Sequence, residues 1–128
     1  MPPSPSRSAS VPSRTQFGSA SEKSDEPHVP TLDLDRDGTI LHSNEPARRV
    51  LEHPPDASLD PCFFSHVHGY NLRRVMRDLA HMVSHRKQRA RWLLRLRTGN
   101  GRWRWYRALV RNYLDRSDAR IRVRLRPL

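Results

Sequence analysis

The chain is 128 residues long, which is enough for one domain, and it carries 24 Lys and Arg against 13 Asp and Glu. Its single cysteine excludes an intramolecular disulfide framework, and the lack of a long apolar run or a signal peptide predicts a soluble cytoplasmic protein. The charge is uneven, because residues 1–71 hold 6 basic and 10 acidic side chains whereas residues 72–128 hold 18 basic and 3 acidic ones.

The start of the chain is rich in Ser and Pro. Residues 1–28 contain almost no aliphatic side chains, so folding would not bury enough apolar surface to offset the loss of chain entropy. We therefore predict a disordered tail over residues 1–28 and one folded domain over residues 29–128.

Two short strands and a helix are predicted next. Residues 31–35 and 39–42 read as strands, and Asp37-Gly38 between them is typical of a hairpin turn. Asn44 suits the N-cap of a following helix, with Pro46 in its first turn. The sequence thus favours a hairpin followed by a short helix.

The same hairpin invites comparison with a calcium loop. Asp33, Asp35 and Asp37 stand at the first, third and fifth positions of such a loop, but an EF-hand also requires a bidentate Glu at the twelfth. That position holds Asn44, and Glu45 comes one residue late. The hairpin is therefore the preferred interpretation.

A long amphipathic helix is predicted over residues 72–85, with Asn71 as its N-cap. The side opposite its apolar stripe carries Arg73, Arg74, Arg77 and His81. The apolar stripe, spaced as on one face of a helix, comprises Leu72, Val75, Met76, Leu79, Met82 and Val83.

Three strands with strict alternation end the chain. The first two flank Gly99-Asn100-Gly101, which is suited to a tight turn. One set of alternating side chains is apolar and comprises Trp92, Leu94, Leu96, Tyr106, Ala108, Val110, Ile121, Val123 and Leu125. The other set is dominated by Arg. Such a meander has one apolar face, which the long helix is expected to cover.

Four motifs in this order resemble the PAS domain with its PAC motif over residues 29–128. They are Asp35-x-Asp37-Gly38-Thr39-Ile40, Asn44-Glu45-Pro46-Ala47, Phe64-x-x-Val67-His68 with Asn71-Leu72-x-x-Val75, and Arg95-x-Arg97-Thr98-Gly99-x-Gly101-x-x-Arg104-Trp105. The resemblance implies an α+β fold in which a five-stranded antiparallel sheet carries short helices and one long helix over one face.

The resemblance also implies a function. PAS domains are sensory or protein-interaction modules, and no nucleophile–base pair or phosphate loop in this chain points to an enzyme. Because the chain ends directly after the last strand, we expect a stand-alone module that signals by non-covalent contact. A ligand, whose identity the sequence does not give, would lie between the long helix and the sheet. The expected pocket comprises Val75, Leu79, Met82, Tyr106, Ala108, Val110, Ile121 and Val123.

No particular cofactor or metal is predicted. His81 and His85 lie away from the apolar side of the helix, where an axial haem ligand would be needed, whereas His42 and His68 stay open for that role. In flavin-binding relatives of this family a reactive Cys lies near the position of Cys62, but the surrounding motif is absent and Tyr106 replaces the strand Asn. A zinc site of Cys62, His66 and His68 with Asp60 would lack a second ligand pair.

The basic face of the meander is the predicted interaction surface, comprising Trp103, Trp105, Arg107, Arg111, Arg122 and Arg124. Like charges on neighbouring strands cost stability, and an anionic partner would offset that cost. Two hypotheses follow: the face binds a protein partner or forms a homodimer, or it binds nucleic acid or another polyanion by combining Arg with aromatic platforms. A basic surface that is only solvated is the simplest alternative.

Overall fold

The computed structural model describes residues 28–128, so the predicted disordered tail, apart from His28, lies outside the described residues. The elements in chain order are β1 (Thr31–Leu34), β2 (Ile40–Ser43), α1 (Glu45–Val50), a 3₁₀ helix (Phe63–His66), α2 (Gly69–Ser84), β3 (Arg89–Arg97), β4 (Trp103–Tyr113) and β5 (Arg120–Pro127). They form one antiparallel sheet in the order β2-β1-β5-β4-β3. The predicted α+β class and five-stranded sheet are confirmed. Within residues 28–128 no helix is long and apolar enough to cross a membrane.

The first hairpin forms as the sequence predicts. The Asp35 carboxylate accepts hydrogen bonds from the backbone N–H groups of Asp37 and Thr39, each at 2.9 Å, and so closes the turn. Gly38 follows with a φ of 84°, a left-handed conformation that favours glycine. Asn44 caps α1 by accepting from the N–H of Ala47 at 3.0 Å, as predicted.

The C-terminal meander places every second side chain inside. β3 pairs with β4 from Arg89 opposite Arg111 to Arg97 opposite Trp103, and β4 pairs with β5 from Tyr106 opposite Pro127 to Tyr113 opposite Arg120. The nine apolar side chains of the predicted inward set are at most 3% exposed. The alternation therefore assigns the two faces of the sheet correctly.

The start of α2 differs from the prediction. The helix begins at Gly69, and its cap is His68, whose Nδ1 accepts from the N–H of Tyr70 at 3.1 Å. Asn71 lies inside the first turn, and its Oδ1 accepts from the N–H of Arg95 at 2.9 Å. The predicted cap was wrong because β3 is an edge strand whose outward N–H needs a partner, and Asn71 supplies one.

The buried face of α2 is also rotated relative to the predicted stripe. Met76 and Val83, expected inside, are 46% and 36% exposed, whereas Asp78 is only 6% exposed. Asp78 accepts from Trp92 Nε1 at 2.9 Å, and Lys87 Nζ lies 3.7 Å from its other oxygen. A polar pair at the helix–sheet interface turns the helix towards Trp92 and leaves the opposite flank of the stripe in solvent.

A tight junction joins α1 to the β3–β4 hairpin. The N–H of Gly99 donates to the carbonyl of Leu51 at 2.8 Å, and Arg104 Nη1 lies 2.9 Å from Glu52 Oε2. Partial burial acts to raise the pKa of Glu52, but hydrogen bonds from Arg104 and Arg102 outweigh it, so the pKa is lowered. The hairpin that carries Trp103 and Trp105 is thereby fixed to the helix.

Candidate interaction surface

The second set of alternating side chains covers the sheet face that lies opposite α2, which we call the outer face. Its members on β3, β4 and β5 are Arg89, Arg91, Leu93, Arg95, Arg97, Trp103, Trp105, Arg107, Leu109, Arg111, Tyr113, Arg120, Arg122, Arg124 and Arg126. The structure brings all six residues of the predicted interaction surface together here. Trp103 and Trp105 are 44% and 42% exposed, and Arg107 and Arg111 are exposed as well.

Two apolar residues of the outer face were missing from the predicted surface. Leu93 and Leu109 are 53% and 50% exposed on neighbouring strands. Each stands among Arg residues at a position where the alternation demands a polar side chain, and that irregularity is the signal by which the sequence could have identified them. Together with Trp105 they give the outer face an apolar centre.

Most of the charge on the outer face is basic. Ten of its side chains are Arg, and Asp33 on the adjoining strand β1 accepts from Arg122 at 3.0 Å and 3.3 Å. Arg122 has a side chain that is 12% exposed, so this predicted surface residue contributes mainly to the joint between β1 and β5. Arg120 Nε lies 3.8 Å from the same carboxylate.

Within residues 28–128, the exposed Arg residues of β3 and β4 lack such a carboxylate. Among the residues that the structure describes, no Asp or Glu oxygen lies within 4.0 Å of the guanidinium groups of Arg89, Arg91, Arg107 or Arg111. Arg89 and Arg111 are also direct cross-strand neighbours. Like charges at this spacing destabilise the sheet, and an anion between them would stabilise it.

The aromatic residues of the outer face lie close to cations of the same chain. The guanidinium of Arg95 is 4.6 Å from the ring centroid of Trp105 and 5.1 Å from that of Tyr70, and that of Arg97 is 5.6 Å from Trp103. These are distances at which a cation is attracted to an aromatic ring. The contacts link β3 and β4 to the N-terminus of α2, where Tyr70 lies.

A groove of about 240 Å³ crosses the outer face at one end of β3, β4 and β5. Leu109 lies in it, and Arg residues of all three strands line it. Its lining comprises Arg89, Ala90, Arg91, Leu109, Val110, Arg111, Tyr113, Arg122 and Arg124. The groove therefore combines an apolar centre with a basic rim.

The eight residues of the predicted ligand pocket meet at the interface between α2 and the sheet. Each is at most 3% exposed, and all belong to the core. Tyr106, the largest fully buried side chain, donates from its hydroxyl to the carbonyl of Val50 at 2.6 Å. Burial raises the pKa of this hydroxyl, which therefore stays protonated as a donor.

The predicted metal and cofactor candidates do not meet in one site. Cys62 is exposed, His66 Nε2 lies 2.9 Å from the Asp60 carbonyl, and His68 caps α2. His81 on α2 and His85, which follows the helix as its C-cap, are exposed, as the helical spacing predicts, and His42 is exposed on β2. In the described part of the chain no group of three or more His, Cys, Asp and Glu side chains is placed to hold a metal ion.

His53, which follows α1, makes stability sensitive to pH. Burial lowers its pKa, and the neighbouring His66 and Arg48 lower it further. The unfolded chain therefore binds a proton more readily, so the contribution of His53 is fully present above about pH 6.5 and is lost as the pH falls below that value.

We expect His53→Gln to reduce the loss of stability between about pH 7.5 and pH 5.5, a window above the range in which carboxylates titrate. Urea unfolding at the two pH values measures this loss. His42→Gln, which removes an exposed histidine from β2, is the matched control and should leave the loss unchanged. An equal pH effect in wild type and His53→Gln would contradict the prediction.

Comparison with solved structures identifies the architecture, whereas no family model and no curated protein sequence matches this chain. The PAS-B domain of Cycle from Drosophila melanogaster superposes with a TM-score of 0.66 at 13% identity, over 77% of this chain and 99% of that one. The PAS domain of an HTR-like protein from Haloarcula marismortui gives a TM-score of 0.61 at 16% identity, over 81% and 89%. The chain has the PAS fold.

A third solved structure is similar to this chain. A sensory box histidine kinase/response regulator from Burkholderia thailandensis gives a TM-score of 0.62 at 16% identity, over 80% of this chain and 78% of that one. At these identities the likeness establishes the fold alone, and it does not extend to ligands or partners.

Several residues of the motifs that carried the resemblance close turns or cap helices of the PAS fold. Asp35 and Gly38 close the first turn, and Asn44 caps α1 while its side-chain amide donates to the Val29 carbonyl at 2.7 Å. The hydroxyl of Thr98 accepts from the N–H of Arg102 at 3.2 Å in the β3–β4 turn. These residues fix turns and caps.

Proposed function

We propose that this chain is a PAS-type sensory or protein-interaction module of signal transduction that acts by docking another protein, or a second copy of itself, on the outer face. One observation carries the proposal: Leu93, Trp105 and Leu109 are 42–53% exposed on neighbouring strands, surrounded by Arg. Exposed apolar side chains that cluster within a polar rim are typical of protein interfaces. The proposed action is binding and involves no catalysis.

The likeness to the sensory box kinase supports a role in signalling, since that protein is named as a sensor. A small molecule between α2 and the sheet would add a sensory function. The eight residues proposed for that pocket are almost fully excluded from solvent, so a ligand would have to occupy a site already filled by side chains. Native mass spectrometry of the protein purified from its host would detect such a ligand as added mass.

A second candidate function is binding of nucleic acid or another polyanion. It is favoured by the groove that Arg89, Arg91 and Arg111 line, together with the exposed rings of Trp103 and Trp105 on the same face. Arg contacts to phosphates would make such binding fall steeply with salt concentration. The affinity of a protein partner that binds mainly through apolar contacts would fall much less as the salt concentration rises.

Trp105→Ala is expected to abolish docking while the domain stays folded. The ring is 42% exposed, so its loss leaves the buried side of the sheet intact. A Trp at the centre of an interface contributes about 2 kcal/mol or more, which is about thirtyfold in affinity. To measure docking, the protein is expressed in its natural host with a photo-cross-linking amino acid in place of Leu93. A bound partner then gives a discrete cross-linked product.

The control places the same cross-linker at Arg73, an exposed position of α2 on the other side of the molecule. Position 93 should give a product that Trp105→Ala removes, and position 73 should give none. Unfolding of Trp105→Ala would assign the ring to the core. Equal products from both positions would mean that the outer face has no special role.

A further inference from the structure

Resting on the proposed docking function, we infer that the groove on the outer face binds an acidic segment of a partner protein, in which an apolar side chain lies between carboxylates. Three features support this assignment: the shape of the groove, its positive charge, and the Arg side chains that already lie over its aromatic ring. The partner is thereby defined by chemistry: carboxylates for the guanidinium groups and an aliphatic or aromatic side chain for Leu109.

The strand register sets the spacing of this site. Arg91, Leu109 and Arg124 stand directly opposite one another on β3, β4 and β5. Neighbouring strands are about 4.8 Å apart, so the two Arg residues flank Leu109 at a separation of about 10 Å. Leu109 is 50% exposed between them. A segment that places one apolar side chain on Leu109 brings a neighbouring side chain to the guanidinium of Arg91.

The next set of cross-strand neighbours on the outer face supplies further positive charge. Arg89, Arg111 and Arg122 stand opposite one another, and Arg122 is held by Asp33. Arg89, Arg91 and Arg111 have no carboxylate within 4.0 Å among the residues that the structure describes. A carboxylate can accept two parallel hydrogen bonds from one guanidinium. Carboxylates from a partner would accept these hydrogen bonds and would reduce the repulsion between Arg89 and Arg111.

A second copy of the chain fits this face poorly. A two-fold dimer would place each outer face on itself, so ten Arg from each chain would meet, whereas the carboxylates paired with them in the described residues are Asp33 and Asp118. Stacked sheets are about 10 Å apart, which is close to the Debye length in physiological salt, so this repulsion is only partly screened. The charge therefore selects an acidic partner over self-association.

The aromatic rings favour a protein over nucleic acid. Among the described residues, Tyr113 is the one aromatic residue that lines the groove, and the guanidinium groups of Arg116 and Arg120 lie 4.5 Å and 5.3 Å from its ring centroid. Single-stranded nucleic acid needs aromatic rings on which its bases can stack. Here cations already lie over the ring, and the exposed side chain at the centre is an aliphatic Leu109, which suits an apolar side chain better than a base.

The test compares three labelled probes: a short peptide in which Glu alternates with Leu, a matched peptide in which Ser replaces Leu, and an oligo-dT of similar charge. The full chain is titrated against each probe, and binding is measured by fluorescence anisotropy. We expect the Glu/Leu peptide to bind most tightly. The double variant R91Q/R111Q should weaken this binding about tenfold, from a few-fold for each exposed charge pair. Leu109→Ser should weaken the Glu/Leu peptide and leave the Glu/Ser peptide unchanged.

The matched control is R73Q/R77Q, which removes the same charge from the exposed side of α2 and should leave peptide binding unchanged. Equal weakening by both double variants would overturn the inference, because bulk charge would then explain binding. Tighter binding of oligo-dT would overturn it in favour of nucleic acid. Self-association that R91Q/R111Q alters would overturn it in favour of a dimer.

These outcomes separate the inference from the proposed function. If the Glu/Leu peptide does not bind, but the cross-linker at position 93 still gives a product that Trp105→Ala removes, docking stands and the acidic partner is excluded. If neither is seen, both proposals fail. The substituted Arg residues are exposed, so circular dichroism should show that each variant keeps the fold.

Discussion

Tyr106→Ala is expected to lower the free energy of unfolding by about 3–5 kcal/mol, the range for removing a buried aromatic ring. The side chain is fully buried at the centre of β4 and reaches α1 through its hydrogen bond to the Val50 carbonyl. Because small domains are stable by only about 5–15 kcal/mol, this single change should remove a large part of the total. Urea or guanidinium unfolding measures it.

Tyr106→Phe is the matched control. It keeps the ring and deletes only the hydroxyl that donates to Val50 at 2.6 Å, so it should cost about 1–2 kcal/mol. A small loss of stability in both variants would show that the side chains around Tyr106 are loosely packed, as expected for a domain that holds a ligand cavity at this place. A large loss of stability in Tyr106→Ala together with a small loss in Tyr106→Phe would support a tightly packed core.

Much of this fold was predictable because the strand period assigns side chains to faces. Leu94, Ala108 and Val123 alternate with Arg, and a two-residue period leaves only one way to bury them together. The turn at Asp37-Gly38 and the cap at Asn44 were also predictable, since each depends on residues only a few positions away. Local chemistry of this kind is visible in the sequence.

The remaining features depend on partners that are distant along the chain. Asn71 binds Arg95, 24 residues later, Asp78 binds Trp92, 14 residues later, and Asp33 binds Arg122, 89 residues later. Nothing in the neighbourhood of these residues shows that such a partner exists. Asn71 was consequently predicted as a helix cap, whereas it joins α2 to β3. Arg122 was predicted as part of the interaction surface, and it also joins β5 to β1.

The make-up of the outer face was predicted only in part for a related reason. The alternation showed which side chains share the outer face, and it identified Trp103 and Trp105. It could not show that Leu109 is opposite Arg91 and Arg124, because register depends on the lengths of two turns. The groove is a product of register, and so it became visible only in three dimensions.

Gly99→Ala is expected to destabilise the domain by about 3 kcal/mol or more, because overpacking against rigid atoms has nowhere to relax. The sequence predicts Gly99 and Gly101 as turn residues of the same kind, but only Gly101 has a positive φ, at 87°. A Cβ on Gly99 would lie 2.2 Å from the carbonyl oxygen and 2.9 Å from the carbonyl carbon of Glu52. These are backbone atoms, so accommodating the methyl group requires the end of α1 to move away from the hairpin.

Gly69→Ala provides the comparison, since it adds the same methyl group where nothing lies within 4 Å, in the first turn of α2. It should be neutral or stabilising by up to about 1 kcal/mol, the difference in helix propensity. Equal effects of the two substitutions would refute the close contact at Gly99. If only Gly99→Ala destabilises, the hairpin position depends on α1. Since that hairpin carries Trp105, the same variant should then also reduce cross-linking from position 93, which would tie the α1 junction to the docking surface.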